Sequence, residues 1–144
     1  MDKLIKIGFL GCGNVGSGVW KLLAGFGEEI AHRTGLRFQV KRVLVRDVTK
    51  KREIDMPAAL LTDRVEDVIT DPDISIVLEF LGGEEPAHRW LTAALENGKT
   101  VVTANKVAFD LHWHELQKTA QKSGAGLYYE AAVCGAIPII HSLE

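Results

Sequence analysis

Two short stretches carry residue types whose order could do chemistry. The first is "GCGNVG", from Gly11 to Gly16. Glycines at this spacing let a chain turn tightly at Gly11, approach a bound anion closely at Gly13 and pack a helix against a strand at Gly16. The following helix would open at Asn14 and Val15, where unpaired N–H groups and a partial positive charge favour a pyrophosphate. The reading is a dinucleotide fingerprint; the plain alternative is a glycine-rich strand–helix turn. The second stretch is "TVVTANKVAF", residues 100–109, where Lys106 follows a β-branched apolar run. An unpaired ammonium is costly to bury. Lys106 therefore sits either at a water-exposed helix start or at the lip of a crevice that uses its charge.

Three further stretches lie at the ends of apolar runs. "VLVRD" places Arg46 and Asp47 where an adenosine ribose should lie. An acid there suits the ribose hydroxyls of NAD, and an arginine suits the 2′-phosphate of NADP. Arg46 comes first, with Lys50, Lys51 and Arg52 close behind, which favours NADP because a dianionic phosphate suits several cations; Asp47 keeps NAD open. "EFLGGEEPAH" sets Gly82-Gly83 where backbone can approach a flat ring, with Leu81 and Gly82 assigned to the cofactor. Glu79 in the same stretch fits a salt bridge or a capping role as readily as catalysis. "YEAAVCGAIPII" gathers Glu130, small residues and Pro138 at another strand end, where Pro138 suits the first turn of a helix. His112 and His114 are two apart on an expected helix and face different ways, so no metal site is expected from the histidines.

These stretches need a scaffold, and the periodicity supplies one. Strands are expected over residues 4–10, 37–45, 74–80, 100–104 and 126–133. Helices fit between them: residues 14–31 with Val15, Val19, Leu22, Phe26 and Ile30 inward, a short one in "TDRVEDVITDP", residues 86–97, and one starting near Asp110 as N-cap and ending at Gly124. Residues 46–57 show no period and read as loop. Alternating strands and helices imply a doubly wound, mainly parallel α/β sheet of Rossmann type, with helices on both faces and right-handed crossovers. Ligands bind such sheets beyond the carboxyl ends of the strands. All five stretches would then open on one crevice.

Bulk composition narrows the classes. A chain of 144 residues suits one domain over 1–142, with Leu143-Glu144 matching a purification-tag junction. Lysine plus arginine (17) nearly balances aspartate plus glutamate (19), without the basic excess of a nucleic-acid binder. No apolar run approaches the roughly 20 residues that span a bilayer. Two cysteines, Cys12 and Cys134, make no disulfide framework, and the N-terminus lacks signal-peptide organisation, so the expected compartment is the cytoplasm.

In this order and spacing the chain resembles homoserine dehydrogenase, through "IGFLGCGNVGSGV" (7–19), "VLVRD" (43–47), "FLGGEEPA" (80–87), "ALENGKTVVTANK" (94–106) and "YYEAAVCGAIPII" (128–140). The pairing of "VVTANK" with "EAAV…G.IPII" is the specific part; the family usually has two glycines where this chain has Gly135-Ala136. The resemblance implies interconversion of L-aspartate 4-semialdehyde and L-homoserine with NAD(P)H, towards threonine, methionine and isoleucine, in a homodimer whose substrate and dimerisation domain follows this one. It implies that Lys106 faces nicotinamide and substrate, that Thr103, Ala104 and Asn105 line the cofactor, and that Glu130, Val133, Gly135 and Ile137 can hold a monovalent cation such as Na+. Rival readings are a non-catalytic NAD(P)-binding sensor module and another Rossmann dehydrogenase.

Overall fold

In the computed structural model, which describes residues 1–132, six strands form one sheet in the order β3-β2-β1-β4-β5-β6, all parallel. The strands are β1 (Lys3–Leu10), β2 (Leu36–Leu44), β3 (Leu61–Thr62), β4 (Ile76–Glu79), β5 (Thr100–Thr103) and β6 (Leu127–Tyr128). The helices between them are α1 (Asn14–Thr34), α2 (Glu66–Ile69), α3 (Ala87–Glu96) and α4 (Lys106–Ser123). The order reverses beside β1, which makes the gap between the β1 and β4 ends the place where such sheets take dinucleotides.

Side-chain alternation along the strands divides the core in two. Val77 and Val101 point to the face covered by Val68 of α2, Leu91 and Leu95 of α3 and Leu116 of α4, all fully buried. Ile7, Phe9, Val40 and Val43 point to the other face, where Val19, Trp20 and Leu23 of α1 meet them. Each such aliphatic side chain contributes about 1.5–3 kcal/mol on burial. The expected doubly wound fold with helices on both faces is the one observed.

Four details differ from the sequence expectation. Strand β6 is only Leu127–Tyr128 and Glu130–Ala132 form a 3-10 turn, where a strand over 126–133 was expected, because pairing with β5 stops at Tyr128. Helix α1 is rotated from the expected face: Val19 packs inward as expected, but Val15, Leu22 and Phe26 are more than half exposed, and the inner row also takes in Gly16, Trp20, Leu23 and Ala31. The close approach of Gly16 to the turn before it fixes this rotation, and Trp20 Nε1 secures it by donating to Asp55 O at 3.0 Å. Strand β3 was not expected, because two residues carry no period; it is held by register with Val43 and Leu44. Helix α4 begins at Lys106, not near Asp110, because the Asn105 side chain accepts from Ala108 N at 3.1 Å and so caps it. A kink at His112 (φ −122°, ψ 18°) interrupts α4 just after Asp110.

Candidate cofactor crevice

The parallel registers place Leu10, Glu79 and Thr103 side by side, so the ends of β1, β4 and β5 share one rim. Everything that follows those three residues opens there. Gly11 takes φ +94°, where a side chain is strained, and a Cβ on it would come within 3.1 Å of Leu81 Cδ2. A Cβ on Gly16 would come within 3.1 Å of both Gly11 O and the Phe80 ring. Gly13 is the opposite case: exposed, with nothing within 4 Å of where a Cβ would sit. Gly13 is also the N-cap of α1, and no side chain caps that end. A long helix thus aims uncapped N–H groups past an unobstructed glycine, the arrangement an anion requires. Asn14 and Val15 are exposed at its mouth.

The β4 and β5 ends are tied together by a buried carboxylate. Glu79 is fully buried; its Oε1 accepts from Leu81 N at 2.6 Å and its Oε2 from Thr103 Oγ1 at 2.5 Å. Thr103 Oγ1 in turn accepts from Asn105 N at 3.0 Å, and Asn105 Nδ2 donates to Gly83 O at 2.7 Å. Burial pushes the Glu79 carboxyl above its usual range, opposed by these hydrogen bonds from Thr103, Leu81 and Asn105. Among the described residues Glu79 meets no cation. Of the roles left open for it, capping is the one observed: it holds the Leu81–Gly83 turn against the "TANK" turn.

Lys106 is the next residue on that rim. It is exposed as the first residue of α4 and lines a surface depression with Phe109, Asp110 and Ala132. The chain thereby brings Gly11, Leu81, Thr103 and Asn105 into one hydrogen-bonded and packed unit, with Gly82 and Ala104 on its loops and Lys106 at the start of α4. Arg46 lies just past β2, exposed, and makes no hydrogen bond or ion pair among the described residues. Its neighbour Asp47 is turned into its own loop, accepting from Thr49 N at 2.8 Å and Thr49 Oγ1 at 2.6 Å, which lowers its pKa. Arg52 folds back onto Lys50 O and Asp47 O. Of the cation set only Glu130 is described, exposed in a short 3-10 turn; Val133, Gly135 and Ile137 lie outside the described residues.

A homoserine dehydrogenase NAD-binding domain family model matches residues 11–130. The chain belongs to this family. A homoserine dehydrogenase of Bacillus subtilis is 44% identical over 142 residues, which are 99% of this chain and 33% of that protein. One from Mycobacterium tuberculosis is 40% identical over 99% of this chain and 32% of its own length. Among solved structures, the Staphylococcus aureus homoserine dehydrogenase superposes with a TM-score of 0.87 at 37% identity, covering 92% of this chain and 33% of that one. The Thiobacillus denitrificans homoserine dehydrogenase gives 0.85 at 42% identity, over 98% and 32%. The chain therefore spans about a third of the length of the relatives it matches. It matches the NAD-binding domain of the homoserine dehydrogenases, an oxidoreductase family, and no helix among its described residues is long and apolar enough to cross a membrane.

Sequence reasoning missed the network through Thr103 and the pairing of His88 with His112, whose rings stack at 3.5 Å between α3 and α4. The first had a signal, an acid and a threonine at matching positions of neighbouring strands. The second had none, since 24 residues and a strand separate the partners.

Proposed function

We propose that the whole protein interconverts L-aspartate 4-semialdehyde and L-homoserine using NADPH in preference to NADH, as a cytoplasmic homodimer feeding threonine, methionine and isoleucine synthesis. In this reading residues 1–142 are the cofactor domain and a substrate and dimerisation domain follows. The observation that carries it is the tie between the "TANK" turn and the Gly82-Gly83 loop, Asn105 Nδ2 to Gly83 O at 2.7 Å. That contact fixes the first residue of α4 beside the loop where backbone can approach a flat ring.

When bound, the nicotinamide cofactor supplies or accepts the hydride. The chain's own residues do the rest. Gly13, Asn14, Val15 and Gly16 present backbone N–H groups to the pyrophosphate, and Gly11, whose own N–H donates to Leu44 O at 3.1 Å, makes the turn that brings the pyrophosphate close. Leu81, Gly82, Thr103, Ala104 and Asn105 line the ribose and ring. The Lys106 ammonium stands where the aldehyde oxygen gains negative charge, stabilising it and passing a proton. Arg46, unpaired beyond β2, meets the 2′-phosphate. Glu130, with Val133, Gly135 and Ile137, is the set that would hold a sodium ion through oxygen ligands.

The test is Lys106→Ala in the full-length protein. NADPH affinity should stay within about twofold while turnover falls ~10²–10³-fold, the scale of losing one charge-stabilising donor. Unchanged turnover would remove Lys106 from the chemistry.

A further inference from the structure

We propose that the crossing of α3 and α4 binds a divalent transition-metal ion of the zinc type through His88, His112 and Glu115. One ligand atom from each of these three residues lies within 4.8 Å of the others. Glu115 Oε2 stands 3.3 Å from His88 Nε2 and 3.8 Å from His112 Nδ1. Around a tetrahedral ion with bonds of ~2.0–2.1 Å, neighbouring ligand atoms are about 3.4 Å apart, close to the spacings of Glu115 from both rings. Two imidazoles and a carboxylate suit zinc and its neighbours over magnesium or calcium, which prefer all-oxygen sets.

The other ring nitrogens strengthen the assignment. His88 Nδ1 is 3.2 Å from Glu85 Oε1, and His112 Nε2 is 2.7 Å from Glu84 Oε1. Each imidazole therefore has one nitrogen held by its own carboxylate and the other turned towards Glu115. Outer carboxylates of this kind orient histidine ligands and raise their basicity. His88 Nε2 is buried and has no hydrogen-bond partner among the described residues; Glu115 is near but not in the direction a hydrogen bond needs. A buried acceptor or donor left unsatisfied costs ~1–3 kcal/mol, and an ion would use it. The rings are stacked 10° from parallel, and a single ion cannot lie in the planes of two parallel rings. Binding therefore turns one imidazole out of the stack. His88 and Glu115 also line a surface depression, which gives an ion a way in.

The site does not depend on the function proposed above, though Glu84 follows Gly83 directly, so an occupied site would brace the crevice loop. The experiment uses the untagged chain, stripped with a chelator and titrated with Co2+ while its visible absorption is followed, then with Zn2+ in competition. Saturation at one equivalent, displaced by Zn2+, is expected. His88→Gln and His112→Gln should each weaken binding at least tenfold, Glu84→Gln by about tenfold, and His114→Gln not at all. Glu115 is 55% exposed, so Glu115→Gln tests the site without disturbing the core and should also weaken Co2+ at least tenfold. Circular dichroism establishes that each variant is folded. The absence of saturable binding, or equal affinity in the His88, His112 and Glu115 variants, would overturn the proposal.

Discussion

At the scale of single residues, a buried acid and two lysines on opposite rims of the sheet show what burial and position each contribute. Lys99 is buried, with Nζ donating to Asp71 O at 2.6 Å and Ile74 O at 2.7 Å, and burial lowers its pKa. A perturbed lysine is often a functional one, but Lys99 precedes β5 and so lies on the rim opposite the crevice. Lys106 follows β5 and lies on the crevice rim. Position in the sheet, not perturbation, distinguishes them. Glu79 makes a sharper test of what burial costs. Its folded-state pKa is raised above the 4.5 of a free glutamate, so between the two values the folded chain holds more protons than the unfolded one. Stability then falls as pH rises from about 4.5 through the raised folded value, and the cost persists above it. Glu79→Gln should flatten that slope in urea titrations run from pH 4 to 8. An unaltered slope would mean that the carboxylate is ionised at no net cost.

At the scale of elements, helices α1 and α4 begin at the crevice in opposite ways. Helix α1 starts at a bare glycine with its N–H groups uncapped, whereas α4 starts at Asn105, whose side chain caps Ala108 N and reaches Gly83 O. Asn105→Ala should cost ~1–2 kcal/mol from the lost cap. It should also speed amide exchange at Val107 to Phe109, measured by hydrogen exchange against the unaltered chain; equal protection would show that the cap is idle. This start was not legible in the sequence, because Asn105 and Asp110 are both good caps and only the strand end decides between them. The inner face of α1 was hidden for a related reason: its apolar residues surround the helix, and the contact of Gly16 with Gly11 sets the rotation. By contrast, the strand–helix alternation and the glycine turn were plain, since both follow from local periodicity and from a turn that only glycine accommodates.

At the scale of the whole molecule, a chain of net charge −2 must bind a cofactor that is itself strongly anionic. Mean electrostatics oppose this, so affinity has to come from local fields: the α1 terminus for the pyrophosphate and a cation beyond β2 for any further phosphate. Arg46 is the group available there, being exposed and uncommitted, while Asp47 spends its carboxylate on Thr49. Arg52 is drawn back to loop carbonyls, so the basic run that looked collective in the sequence resolves to a guanidinium, that of Arg46, without a partner among the described residues, with Lys50 and Lys51 nearby. A charge-assisted contact of this kind is worth ~1.5–3 kcal/mol, or about 10–150-fold in affinity. Titrating the chain with NADPH and NADH should therefore show the phosphorylated form binding more tightly. Arg46→Ala should remove most of that advantage while leaving NADH within about twofold, and added salt should narrow the gap because the contact is exposed. Equal affinities in the unaltered chain would remove Arg46 from cofactor selection, and a reversed order would hand the ribose to Asp47.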